Sequence, residues 1–416
     1  MESSRQKAIC LWVQDEAQYL DFFDDTAAFR AHIDAVFERF PELFPPGFSA
    51  GYDFHDRRKS KRLGVTMRRI KLRESGKVYL LRPCFVMPYC TARVEDLDHP
   101  LYLRLWGVSF DALSHCFGRA PKFYERAFLS LARPNLVAST CKVELPEHLV
   151  CDEKHVTQTY PTTYLCVSAA KGCILGAALV EETTAEALEQ GYGVMVSEAR
   201  EVEPSWAPRS VCLDGFRATQ AAFKALIPSA TIILCFLHAM LKLRAVSPKK
   251  TREEARYQVM MEKGWNVFHA PTRRHFAQRL RRFGEWGMEK LSRGKLKHEV
   301  EKMCKNSRRY SVAYGLEGSA RTSNQVDRLM SHQSHILRSQ RGFHGSQENA
   351  QAMMRAHAMV WNFHPYGQRM RRDDPERLSP FHDVNGFQYH ENWLSNLLLA
   401  SSHRGLGRHT HQIRRS

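Results

Sequence analysis

Three aspartates stand where folding could bring them together. Asp152 follows the apolar run Leu149, Val150, Cys151 in "EHLVCDEKHV". Asp214 ends the apolar run of "RSVCLDGFRATQAAF", with Gly215 next and a helical pattern after it. Asp327 lies on the edge of the apolar stripe Val326, Leu329, Met330 and Leu337. Three gathered carboxylates repel: at about 4 Å and an effective dielectric near 20, each pair costs roughly 4 kcal/mol. Such a cluster calls for cations or retained protons. Two Mg²⁺ (or Mn²⁺) ions are oxygen-seeking occupants. Two metals about 3.5–4 Å apart clamp the attacking and leaving oxygens of an in-line displacement at phosphorus. Each aspartate also has a purely structural reading. Asp214 fits a helix N-cap, Asp327 fits an acid in the first turn of a helix opened by Asn324, and Asp152 fits a solvated turn beside Glu153 and Lys154.

The elements that must position them follow from periodicity. "EHLVCDEKHV", "TTYLCVSAA" and "CILGAALV" read as strands, the last two joined by a turn at Lys171-Gly172. "TAEALEQGYGVMVSEAREV" reads as a helix, "RSVCLD" as a strand ending at Asp214, "GFRATQAAFKAL" as a helix and "ATIILCF" as a strand. This β-β-β-α-β-α-β order predicts an α/β fold, a mixed sheet with flanking helices. The first and fourth strands should be neighbours, which would place Asp152 beside Asp214. The expected catalytic domain covers 146–240 and 313–400. An α-helical basic insertion, 241–312, carries Lys242, Arg244, Arg273, Arg274, Arg279, Arg281 and Arg282.

Residues 1–145 read as a mainly helical DNA-binding region with a β-hairpin at about 67–89, whose Arg68, Arg69 and Lys71 face either phosphate or solvent. A helix-turn-helix candidate spans about 109–131: a helix over 110–117, a turn at Gly118–Pro121, and a second helix carrying Lys122, Tyr124 and Arg126. A plain helical pair explains the same pattern. The tail 401–416, basic and glycine-containing, reads as disordered.

The chain of 416 residues has a formal net charge of +17, which favours a polyanionic partner, nucleic acid first. Its 11 cysteines are scattered without a Cys-x-x-Cys pair; a reducing cytoplasm therefore fits better than a disulfide framework. No secretory signal or membrane span is visible. No Gly-x-x-x-x-Gly-Lys-Ser/Thr loop is present, so ATP use is not expected. Cys235 and His238 form a Cys-x-x-His pair, but two ligands do not make a tetrahedral zinc site. Cys235 fits packing at the strand end, and His238 a hydrogen bond near the acids or a DNA contact.

Taken together, "VCDEKH", "VCLDGFRATQAAFKALIPSATIILCFLH" and "RTSNQVDRLMSHQSHILR" resemble the three acid-bearing segments of RNase H-like insertion-sequence transposases of the DDE/DDD group. The Cys-x-x-His after the second acid is similar to that of Mutator-like relatives. The resemblance covers about 147–345. It implies an RNase H-like fold and a metal-binding catalytic triad of Asp152, Asp214 and Asp327. It also implies cleavage at the ends of a mobile element with 3′-hydroxyl strand transfer, double-stranded DNA as partner, and assembly as a dimer or larger complex in the nucleoid. The third position is often glutamate in relatives; Glu317 is the fallback there, and Glu153 the fallback for Asp152. A non-catalytic DNA-binding derivative, or a structure-selective nuclease of the same fold, fits the same segments.

Overall fold

The computed structural model describes residues 8–156, 163–247, 255–292, 294–339 and 346–409. The N-terminal region opens with β1 (Ala8–Leu11), α1 (Glu16–Phe23) and α2 (Thr26–Arg39). The two helices are capped by Asp15 and Asp25, whose carboxylates accept from amides of the first turn. Then come β2 (Tyr52–Lys59), β3 (Thr66–Leu72) and β4 (Val78–Pro83). The expected hairpin is the β3–β4 pair, with Ile70 opposite Tyr79. It is not isolated, because β1 and β2 complete a four-stranded mixed sheet in the order β1-β4-β3-β2. The region still holds more helix than strand, as expected, but its sheet is larger than one hairpin. Four short helices follow: α3 (Asp98–Leu105), α4 (Phe110–Phe117), α5 (Pro121–Ser130) and α6 (Leu136–Thr140).

The second sheet is built from β5 (His148–Val156), β6 (Thr163–Ala170), β7 (Cys173–Val180), β8 (Ser210–Leu213) and β9 (Thr231–Leu234), in the order β7-β6-β5-β8-β9. Strand β5 pairs in parallel with β8, and β8 with β9, while β6 runs antiparallel to both its neighbours. At the β6–β7 turn Lys171 and Gly172 both take positive φ, 47° and 86°, the backbone twist that tight hairpins require. Alternation sorts neighbouring residues to opposite faces. Cys151, Cys166 and Leu213 pack under α7 (Ala185–Val202) and α8 (Arg217–Leu226). Val150, Val167 and Cys212 pack with the other core. Gly191, inside α7, is a close-packing point: a Cβ there would lie 2.9 Å from Val180 Cγ1.

After β9 the chain forms α9 (Phe236–Val246), α10 (Ala255–Phe268), α11 (Arg273–Lys290), α12 (Lys295–Lys305) and α13 (Ser307–Ser311). These helices enclose a core of their own, with Phe236, Met240, Met260, Phe276, Phe283 and Val300 buried together. Helices α14 (Asn324–Ser339) and α15 (Gln347–Phe363) then cover the second face of the sheet. That core is continuous with the N-terminal one, joining Leu101, Phe128, Val167, Met354, Phe363 and Leu397. Residue 145 thus marks a change of elements and not a break in the core. The chain closes with α16 (Gln368–Asp373), α17 (Pro380–Asn385) and α18 (Trp393–Ala400).

The segment after α18 is ordered to His409, contrary to the expectation of a disordered tail. Ser402 Oγ accepts from the Cys10 amide (2.9 Å) and donates to Leu43 O (2.6 Å). The His409 amide donates to Lys142 O (2.8 Å), and its ring meets buried Glu42 (2.7 Å). Polar bonds of this kind hold a segment without the apolar pattern that would announce it. Residues 410–416 lie outside the described set.

Lys142 is fully buried, its ammonium donating to Gly405 O (2.8 Å) and Ala400 O (3.2 Å). Burial lowers its pKa from 10.5 to about 7, against the pull of Glu42. The unfolded chain keeps this proton up to 10.5 and the folded chain releases it near 7. Between those values the unfolded state binds more protons, so stability rises with pH. In Lys142→Met this contribution is gone. The wild-type-minus-variant stability, measured by denaturant melts from pH 7 to 10.5, should grow on the order of 4 kcal/mol across the window. A flat difference rules out a buried ammonium.

Candidate active site

Strands β5 and β8 lie side by side, and their last parallel pair is Val150 with Cys212. Asp152 and Asp214 each stand two residues beyond it. Asp152 is not a strand terminus, since β5 continues to Val156 against β6. Alternation turns it to the face covered by α14, and there it meets Asp327 from the first turn of that helix. The third member of the group is His238, from the first turn of α9. Ligand atoms of Asp152, His238 and Asp327 all lie within 4.8 Å of one another. Asp214 stays outside this group, its Oδ1 accepting from the Phe216 amide (2.7 Å); it braces the turn before α8 but is not the N-cap, a position held by Phe216. Its charge nevertheless reaches Asp152 and Glu153, raising both pKa values.

The fallback acids do not join the group. Glu153 points the opposite way from Asp152, with Oε1 accepting from the Tyr192 hydroxyl (3.0 Å) and from Thr219 Oγ1. Glu317 is exposed ahead of α14.

The Cys-x-x-His pair is a helix cap that aims a histidine. Cys235 is the N-cap of α9, its sulfur accepting from the His238 amide (3.4 Å). The same sulfur accepts from the Ser323 amide (3.1 Å) and lies 3.3 Å from Ser323 Oγ. Ser323 Oγ then touches His238 Nδ1 (3.1 Å) and Asp327 Oδ2 (3.3 Å). Cys235 and Ser323, both buried, therefore tie the start of α9 to the start of α14. The ring of His238 is left with Nε2 at 3.6 Å from Asp152 Oδ2. Ser323 was hidden in the sequence because its role depends on two distant partners; only its place just before Asn324 hinted at a cap.

Electrostatics mark the group as short of positive charge. Burial pushes the Asp152 carboxyl up to about 8; His238 opposes this, while Glu153, Asp327 and Asp214 add to it. Burial alone would lower the His238 pKa, but the Cys235 sulfur, Asp152 and Asp327 outweigh it and hold it near 9. A hydrogen bond from the Cys212 thiol lowers the Cys235 pKa to about 4 against burial, with His238 and Ser323 helping. His238 is thus the chain's own counter-charge among acids. Two carboxylates and an imidazole suit a divalent cation with mixed oxygen and nitrogen preference, Mn²⁺ more than Mg²⁺. Among the described residues these three gather donors for one ion.

Beside Cys235 and His238 opens a cavity of about 260 Å³ between the β8–α8 turn, α9 and the α12–α13 corner, with Arg217, Lys242, Lys302 and Arg309 among its walls. Lys242 Nζ reaches to within contact distance of Gly215 in the β8–α8 turn. Arg217, Lys302 and Arg309 were not singled out in the sequence, because their convergence needs the fold of the insertion. Of the cations expected to meet DNA, Lys242 lines this cavity, Arg244 is exposed further along α9, and Lys122 and Arg126 are exposed on α5. Tyr124, on the same helix, is buried. Lys71 is exposed, and Arg69 is paired with Asp56. Arg68 is a correction. It is buried, donates to Phe23 O, and sits 4.9 to 5.2 Å from the centres of the Phe23, Phe29 and Phe54 rings, so no phosphate can reach it.

All 11 cysteines are free. No helix among the described residues is long and apolar enough to cross a membrane. Compared with known proteins, the chain matches no family model and no curated protein.

Proposed function

We propose that the protein is a metal-dependent DNA transposase, cutting at the ends of a mobile element and joining the freed 3′-hydroxyl to target DNA. The observation that carries this reading is the meeting of Asp152, His238 and Asp327 beside a cation-lined cavity. The strand order β7-β6-β5-β8-β9, with β6 alone reversed, supports the RNase H-like reading of the sheet. The net charge of +17 supports a nucleic-acid substrate.

In this reading Asp152 and Asp327, with His238 once it has lost its proton, would hold the cation. A bound divalent ion supplies Lewis-acid polarisation of the phosphoryl group and a lower pKa for water. Arg217, Lys242, Lys302 and Arg309 receive phosphates of the strand next to the scissile bond, which keeps that bond at the acids in spite of their negative charge. Cys235 and Ser323 fix the His238 ring. His238 balances the carboxylates in the metal-free protein. Two ends must be joined in one event, so the working form is a dimer or larger assembly on DNA.

The test is a strand-transfer assay with labelled DNA from the sequences flanking the protein's own gene. With Mn²⁺ or Mg²⁺ present, joined products are expected; EDTA should remove them while binding persists. Cutting without joining would point to a nuclease of the same architecture, and metal-independent binding alone to a non-catalytic derivative.

A further inference from the structure

A cavity of about 830 Å³ lies apart from Asp152, His238 and Asp327, between α5, the loop after β4 and the start of α15. This is within the usual range of ligand clefts, about 300–1,000 Å³. Tyr89 stands at the tip of that loop, which is closed by the Met87 amide donating to Ala92 O (3.1 Å). Its backbone is left-handed, φ 61°, a conformation that a bulky residue adopts at a cost. The residue is 51% exposed, the most open aromatic among the exposed large hydrophobic residues described. The Arg133 guanidinium stacks on the ring, 4.2 Å from its centre. Arg126, exposed on α5, lines the same cleft, and Gln347, Glu348 and Asn349 line its far wall, two amides with one exposed carboxylate between them. Tyr89 also borders a second cavity of about 260 Å³, which Arg133 does not line, so the ring face that Arg133 leaves uncovered is the one open to a stacking partner.

We propose that this cleft is a stacking site for an unpaired nucleobase, with Tyr89 as the platform and Arg126 and Arg133 contacting the adjoining phosphates. The loop holds an aromatic ring outward against its backbone preference, and a cation pins the ring in place. Single-strand-binding proteins combine these two elements, stacking and a positive track. A base inside a duplex cannot reach such a ring without being extruded. The amides offer hydrogen bonds to base edges. The occupant is therefore single-stranded or locally opened DNA, such as strands bordering a cut. The inference rests on the nucleic-acid reading above but not on the acids.

The test uses the full chain without metal and a fluorescent single-stranded 12-mer oligonucleotide, followed by anisotropy. One stacked base contributes about 1–3 kcal/mol, so Tyr89→Ala should weaken binding roughly 5- to 150-fold. Tyr89→Trp should bind within about twofold of wild type, because the platform survives. Arg133→Ala should weaken binding less than Tyr89→Ala. A duplex of the same length should be affected less than about twofold by either tyrosine variant. Unchanged thermal melting shows that the exposed site was altered without unfolding. Equal single-strand affinity of wild type and Tyr89→Ala overturns the inference, even if strand joining is intact. Equal losses for duplex and single strand overturn it too, since they indicate general charge attraction. If the wild type binds neither form, the nucleic-acid reading falls with it.

Discussion

Asp152→Asn should lose DNA cleavage and joining by about 10³-fold or more, the size expected when several kcal/mol of metal-borne stabilisation disappears. The same variant should make the metal-free protein more stable, by ~1–3 kcal/mol. Asparagine keeps the oxygen that accepts from the Glu153 amide (2.9 Å) and discards a charge that burial and three neighbouring acids disfavour. Mn²⁺ should raise the melting temperature of wild type and leave the variant unmoved, since a ligand stabilises only a state that binds it. A site built for function is expected to behave in this way, trading stability for charge. Wild-type joining by Asp152→Asn would falsify the assignment of the site. Loss of activity together with lower stability would point to a structural aspartate.

Ending the chain at Ala400 should remove most of the protein's stability. The deleted segment supplies both bonds of Ser402, the Gly405 carbonyl that accepts from Lys142, and the His409 contacts with Glu42 and Lys142. Glu42 and Lys142 are both buried, and each would lose partners. An unsatisfied buried polar group costs about 1–3 kcal/mol, more when charged. Several such losses together rival the whole stability of a typical domain, about 5–15 kcal/mol. Denaturant midpoints of the truncated and full chains provide the measurement. Gly405→Val gives a finer probe: φ is +79°, and a Cβ would lie 2.9 Å from the Ser139 amide nitrogen. If the truncated chain melts within about 1 kcal/mol of the full one, the segment is an appendage.

The strands of the second sheet were legible because each contains a short apolar run, although β5 continues past its run through Asp152, Glu153, Lys154 and His155. The pair α4–α5 was legible because Gly118 and Pro121 punctuate it. Strand β2 was not: seven of its eight residues are polar or only partly buried, so it shows no alternation. Arg68 was misread although the signal was present. Alternation along β3 puts it in phase with Ile70 and Leu72, on the buried face. The acids stood out because each follows or borders an apolar run, although Asp152 proves to lie inside its strand and not at the strand's end. The part taken by His238 was less visible, because a Cys-x-x-His spacing suggests a metal pair, whereas here the cysteine organises a helix start and only the histidine faces the acids. Asp214 shows the limit of reasoning from adjacent strands. Register brings it level with Asp152, and the turn into α8 then bends its carboxylate toward its own backbone.

Between Cys235 and Ser323 the chain makes a long excursion through five helices and then returns, and the return is latched by the Phe236 amide donating to Arg321 O (3.1 Å). Because the excursion carries its own core, its length weighs little on the latch: closing a loop twice as long costs only about 0.6 kcal/mol more. The junction is therefore a socket. Helical modules of other sizes could be plugged in between these residues while the contacts that join Cys235, Ser323 and His238 stay the same.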